Sequence, residues 1–454
     1  MRFIARFAQE LQDHFEIIDV FDSKIEKTPI DKDNPEIESI AQAYPAAVWF
    51  ERKMHDDFGI KILNTFDNRP LIHHERFPNI HPMRKEFTHK HIDPVPFKPY
   101  HYEVIEGDGI FQVGVGPIHA GIIEPGHFHF SQEGESILHL EVRHFYKYRG
   151  IEKIVERKDP KDAWHIVERI SGNESIAYQL AYLDLLRQAS KQGENENIQK
   201  YGSILLELER IAHHLVDLGF IPNDAGFGAA LAYSSMLAED TRRVLKTLTN
   251  HRFGFGAIRG VARKFDQNAL HSFLNDLEKK MDFFEKWIIE IPSLWDRLDT
   301  TGKLSQKKAL KYSTLGVVAR ASGIHIDRRE VPFYKEHGFS IQTQESGDVA
   351  ARFKVRLQEV KNSIQIIRNL LDFQEDEVVL NAFEDGEYFA FTESSLGEVM
   401  LYLKIKDQKI DRFFARDPSF INWQALHLMM PKNIIADFPL INKSCDLSYA
   451  GSDL

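Results

Sequence analysis

Strand-like alternation occurs in two widely separated parts of this chain, with helical patterning between them. Residues 101–145 alternate apolar and polar side chains around glycines, as in Ile110-Phe-Gln-Val-Gly-Val-Gly116 and Ser136-Ile-Leu-His-Leu-Glu-Val142, which predicts short antiparallel strands. From about 146 to 375 the apolar spacing is helical, and strand character returns over 380–415 in Tyr388-Phe-Ala-Phe391 and Val399-Met-Leu-Tyr-Leu-Lys404. That order predicts an α+β fold: a mainly helical body with a small antiparallel β part from residues 101–145 and 380–415, preceded by a small α/β module. Residues 1–40 mix short helical periodicity with the charged stretch Asp31-Lys-Asp-Asn-Pro-Glu36, and Pro94, Pro96 and Pro99 mark a linker.

The single cysteine, Cys445, excludes intrachain disulfides and any cysteine-only iron–sulfur cluster. The chain therefore binds no such cofactor itself, and electrons that reach it must be carried in by a partner. Its core must come from burial, for which a hydrophobic content of 43% suffices. A formal charge of −11 argues against a nucleic-acid partner, which would need concentrated Lys and Arg. No apolar run approaches the roughly 18–20 residues of a membrane span, and no signal peptide opens the chain, so a soluble cytosolic protein is expected.

Several local patterns bear on function. Ser171-Gly-Asn-Glu174 precedes the periodic run Ile176, Leu180, Leu183 and reads as a helix capping box. Asp417-Pro-Ser419 offers an acidic N-cap with proline in the first turn. On a helix striped by Ile204, Leu208, Ile211, Leu215 and Leu218, His213 points to the opposite face. His214 lies at the stripe's edge, in line with Glu207, Arg210 and Asp217. Trp49, Phe50 and Met54 share helical spacing, which serves either a docking face or a local core.

Glu168-Arg-Ile-Ser-Gly-Asn-Glu174 and Arg416-Asp-Pro-Ser-Phe-Ile-Asn422 resemble the two cysteine motifs of nickel–iron hydrogenase large subunits, R-x-C-x-x-C and D-P-C-x-x-C. Gly116-Pro-Ile-His-Ala-Gly-Ile-Ile-Glu-Pro-Gly-His127, Tyr148-Arg-Gly-Ile-Glu-Lys153, Glu207-Leu-Glu-Arg-Ile-Ala-His-His-Leu215, Arg320-Ala-Ser-Gly323, Gly347-Asp-Val-Ala-Ala-Arg352 and Gly397-Glu398 follow the order of the complex I 49 kDa and energy-converting hydrogenase family. Tyr44-Pro-Ala-Ala-Val-Trp-Phe-Glu-Arg-Lys-Met-His-Asp-Asp-Phe-Gly59 and His81-Pro-Met-Arg-Lys-Glu-Phe87 resemble the complex I 30 kDa subunit, shortened. The resemblance divides the chain into a docking module, 1–95, and a large-subunit-like domain, 96–454.

The family's four thiolate positions fall on Ser171, Glu174, Ser419 and Asn422. Hydroxyl, amide and carboxylate groups do not replace thiolates at a nickel–iron centre. Leu396 also stands where the family has a cation. Hydrogen turnover is therefore not expected, and no metal is assigned. The resemblance implies an emptied cavity that admits a quinone-like acceptor, bounded by Ser171, Glu174, Tyr178, Ser419 and Asn422. The complex I tyrosine that binds the quinone carbonyl would fall at Gly172 here.

Glu124 stands at the family's proton-relay glutamate, or else pairs with a nearby cation. His119 is a head-group donor or a turn histidine. His214 faces a 4Fe–4S cluster in a small partner subunit or belongs to a buried ion-pair row, and Tyr178 reaches the cavity or fills core. The implied setting is cytoplasmic, peripheral on the inner face of the cell membrane, with antiporter-like membrane subunits as partners. The function implied is electron transfer from the partner's cluster to a quinone-like acceptor, coupled to proton or ion movement. The alternative is a non-catalytic scaffold or coupling subunit of an ion-transporting complex.

Overall fold

The computed structural model describes residues 1–88, 91–120, 123–380 and 382–454 of the 454-residue chain. The first strands, Phe3–Glu10 and His14–Phe21, are buried along almost their whole length, while Ile25–Asp31 forms the exposed edge of an antiparallel meander. The helical periodicity expected over residues 1–40 is therefore not realised. A strand covered on both faces loses its apolar–polar alternation and reads as a continuous apolar run. Phe3-Ile-Ala is such a run, and Ile17-Ile-Asp-Val-Phe21 is broken only by Asp19, which is buried against Arg6.

One cover is the helix Ala47–Phe58, which stops at Gly59 in the left-handed region at φ 75°. Trp49 and Phe50 reach across to the large domain, with ring centroids 5.7 and 4.5 Å from Phe420. Met54 turns inward to a small cluster with Phe15 and Phe58. The expected single face thus divides between docking and local core. The other cover is the C-terminal sheet, where Phe7 stacks on Phe414 at 4.2 Å and Tyr402 Oη donates to Gln9 Oε1 at 2.9 Å. Beyond the proline segment, Tyr100 anchors the chain by donating to Glu141 at 2.8 Å.

The two β regions expected from alternation are present as separate three-stranded antiparallel sheets. One comprises Ile110–Val115, His127–Glu133 and Ser136–Arg143; the other comprises Gly386–Glu393, Glu398–Lys406 and Lys409–Arg416. Between them runs the helical body. Its axis is the 29-residue helix Glu196–Asp224, flanked by Ser175–Ala189, Gly228–Thr249 and Val349–Asn369. Asn195 starts the axis by accepting from Ile198 N, and Asp348 starts the last helix by accepting from Ala351 N. Among the described residues no helix is long and apolar enough to cross a membrane.

The body also buries charge. Glu207, Arg210, Arg320, Asp327, Arg329, Glu359 and Glu393 are each at most 7% exposed and interlock. Arg329 reaches Glu207 at 3.1 Å and Asp327 at 2.8 Å, while Arg320 reaches Glu359 at 2.8 Å and Glu393 at 2.7 Å. Such a network is tolerated because its charges are mutually compensated; removing one member costs several kcal/mol.

Candidate functional site

Ser171, Glu174, Ser419 and Asn422, far apart in sequence, are all nearly inaccessible to solvent. Asp417 caps the short helix Pro418–Asn422 as expected, its Oδ1 accepting from Ser419 N at 2.8 Å. The Ser171 capping box does not form. The helix begins at Ser175, and its free N–H groups are met by Glu209 of the axial helix instead. That carboxyl accepts from Ile176 N at 2.7 Å and Ala177 N at 3.2 Å. A tertiary carboxylate has displaced the local cap because it satisfies two first-turn donors at once. Burial still pushes the Glu209 pKa up to about 8.

The freed Ser171 hydroxyl meets the Ser448 hydroxyl at 3.3 Å, while Ser448 N donates to Ser419 Oγ at 2.9 Å. One residue of the C-terminal segment thus bridges two of the four corners. Asn422 is spent on backbone, accepting from Leu315 N at 2.9 Å and donating to Leu315 O at 3.2 Å. Tyr178, fully buried, donates to Asp417 Oδ2 at 2.6 Å. Two clefts stand out on the described surface. One, of about 280 Å3, is walled by Leu180, Leu183, Phe391 and Tyr334; the other lies between Phe21, Lys24 and Arg328. None of the four corner residues lines either cleft.

Glu174 is the unusual corner. Its Oε1 accepts from Leu396 N at 3.3 Å, but its Oε2 has no hydrogen-bond partner. Burial, reinforced by the neighbouring Asp417 charge, raises its pKa to about 8. The loop it touches, Ser394–Gly397, lies hard against the next segment. A Cβ on Gly316, whose φ is +59°, would fall 1.8 Å from Leu396 O, so only glycine permits this approach.

The expected proton-handling residues are otherwise engaged. Glu124 pairs with Lys147 and accepts from Ala450 N at 2.9 Å, so it anchors the C-terminal segment. His119 Nε2 bonds Gly126 O at 2.7 Å across its own hairpin. His214 is 1% exposed, with Nε2 2.8 Å from Glu359, and burial drives its pKa down to about 3. It sits within the charged network rather than at a surface.

Sequence reading passed over His213. The face assigned to it as opposite the apolar stripe is buried as well, since the helix Phe438–Cys445 covers that side of the axial helix. His213 Nε2 lies 2.7 Å from Asp446, and Nδ1 bonds the Ser395 hydroxyl. Burial opposes its charge, but Asp446, Asp217 and Glu174 raise its pKa above the ordinary value. Ser448 and Asp446 were missed too. Neither carries a local sequence signal, because their roles arise only when the C-terminal segment folds back on the corners.

The chain matches the family model of the respiratory-chain NADH dehydrogenase 49 kDa subunit over residues 224–385 and 380–453, and that of the 30 kDa subunit over residues 6–92. It is 28% identical over 446 residues to formate hydrogenlyase subunit 5 of Escherichia coli (strain K12), covering 94% of this chain and 78% of that protein. It is 26% identical over 450 residues to an NADH-quinone oxidoreductase subunit of Phocaeicola vulgatus, covering 91% of this chain and 86% of that protein. Its fold resembles a chain of the membrane-bound sulfane sulfur reductase, an archaeal respiratory membrane complex. The TM-score is 0.70 at 22% identity, over 76% of this chain and 99% of that chain.

Proposed function

We propose a function from one premise: the chain belongs to the family of the respiratory-chain NADH dehydrogenase 49 kDa subunit. It works as a subunit of a membrane-bound complex I-like or hydrogenase-like assembly, attached peripherally on the cytoplasmic side. Its partners are a small iron–sulfur subunit with a 4Fe–4S cluster and integral antiporter-like subunits. It does not turn over hydrogen, because the four corners present hydroxyl, carboxylate and amide groups instead of thiolates.

Within that assembly the former metal centre is a closed coupling element. The observation that carries this reading is the Ser448 bridge, which ties Ser171 to Ser419 where an open chamber would need them apart. The competing reading puts quinone reduction inside the four corners. Family membership supports it, as does a buried tyrosine at the site. Tyr178, however, already donates to Asp417 and has no second proton to offer a carbonyl.

The test is carried out on the purified assembly with a photoreactive quinone analogue, alongside metal analysis. Labelling elsewhere in the assembly, with no stoichiometric nickel, is the expected result. Label recovered on peptides containing Ser171, Tyr178 or Ser419 would establish the quinone chamber and overturn the closed-element reading.

A further inference from the structure

The coupling reading leaves open which groups in this chain hold a proton; a row of such groups depends on that reading for its purpose but not for its geometry. Its inner end is Glu174, fully buried, with one carboxyl oxygen bonded to Leu396 N and the other unpartnered. The Ser394 hydroxyl lies beside this carboxyl and donates its own proton to Gly397 O at 2.9 Å. The next residue, Ser395, shares its hydroxyl with His213 Nδ1, and the far side of that ring meets Asp446 at 2.7 Å. Asp446, at the end of the helix Phe438–Cys445, is 17% exposed and paired with Lys443, itself 24% exposed. From Glu174 outward, burial falls step by step to the surface.

We infer that Glu174, the Ser394–Ser395 hydroxyls, His213 and Asp446 form a proton-holding row joining the closed corner to solvent. The proton-bearing end is Glu174, and Asp446 is the exchange port. Release leaves Glu174 with one negative charge and delivers one proton to solvent, so no electron carrier or further reactant enters the step. Charged neighbours set the resting state. Asp417 and Glu209 face Glu174 and disfavour its ionisation, while His213 favours it. Against the cost of burial, Asp446 and Asp217 favour the cationic form of His213, and Lys443 and His213 hold Asp446 anionic. With a pKa of about 8, Glu174 carries its proton at neutrality and gives it up in mild alkali.

A metal is the obvious rival occupant of the outer end, since ligand atoms of His213, Asp217 and Asp446 lie within 4.8 Å of one another. The Lys443 ammonium already occupies that position, 3.0 Å from Asp217 and bonded to Asp446.

The row is tested on the full chain by infrared spectroscopy of protonated carboxyls across neutral to alkaline pH, in water and deuterated water. Wild type minus Glu174→Gln should show one carboxylic C=O band, lost with an apparent pKa of about 8. Glu209→Gln, which removes a different buried acid, should leave that band in place. His213→Gln and Asp446→Asn should retain the band but slow its hydrogen–deuterium exchange by roughly a hundredfold. Spectra of wild type and Glu174→Gln that coincide would refute the inner end, and unaltered exchange in both outer variants would refute the port. Should Glu174→Gln not fold, the exchange rates of the outer variants decide alone. Quinone labelling of the corners would leave these outcomes unchanged, so failure of the coupling reading and failure of the row are distinguishable.

Discussion

Replacing Glu359 with glutamine tests whether the buried charges of the body hold one another in place. The Glu359 carboxylate accepts from Arg320 Nε at 2.8 Å and from His214 Nε2 at 2.8 Å, with Arg210 and Arg329 at 3.7 and 3.9 Å. Since His214 is neutral, its Nε2 carries the donated proton. Glu359→Gln keeps the shape and removes one negative charge. Three guanidiniums then face Glu207, Asp327 and a Glu393 whose pKa burial raises to about 7. Arg320 Nε then meets a neutral amide in place of its carboxylate, and breaking a buried ion pair at one partner costs about 3–5 kcal/mol, far above the roughly 1 kcal/mol of an ordinary neutral hydrogen bond.

The pH dependence follows from the sign of the shift. Arg320 and the His214 bond overcome desolvation and hold the Glu359 carboxyl well below its ordinary value of 4.5. Its stabilisation is therefore complete above about pH 4.5 and is lost only as pH falls through the folded value. Urea unfolding of wild type and variant, followed by tryptophan fluorescence, should show a gap that persists between about pH 6 and 8 and narrows in acid. A gap below about 1 kcal/mol at neutral pH, or one that widens on acidification, would show that these charges do not act as argued.

Ser448→Ala removes the Ser171 contact and the hydroxyl that accepts from Gly451 N at 2.9 Å, so it should cost about 1 kcal/mol. It should also raise amide exchange over residues 448–454 while leaving the axial helix protected; uniform exchange across the chain would argue against a stapled segment. Burial raises the Asp453 pKa to about 7, so the folded state resists its ionisation and stability falls as pH rises from about 4 through 7. Asp453→Asn should thus leave stability unchanged near pH 3 and raise it by up to about 4 kcal/mol at pH 8. Thermal unfolding at both values checks this, and a variant less stable than wild type at pH 8 would contradict it.

Much of the chemistry was legible in the residues. The Asp417-Pro-Ser419 start specifies its own cap within three residues, and the absence of thiolates at four spaced positions is a statement about composition alone. The alternation at 127–130 survives because one face of that sheet is more open, with Phe128 and Phe130 buried and His127 and His129 less so, whereas Val399–Leu403 is buried throughout and reads as an apolar run. Phe3–Glu10 misled because it is covered on both sides. His213 misled because a helical wheel gives the direction of a face, not what lies against it. Ser171 misled because its local capping pattern lost to Glu209, which arrives from another helix.

Sequence by itself determined the α+β order of elements, the family likeness and the lack of thiolates at four spaced positions, since each depends on residue type and spacing. Tertiary structure alone decided that Ser448 bridges Ser171 and Ser419, that Glu124 pairs with Lys147 and accepts from Ala450 N, and that Glu174 lies buried beside Ser394 with a bare oxygen. Those outcomes depend on contacts across some tens to hundreds of residues, where burial and the competition for hydrogen-bond partners are settled only once the chain has folded.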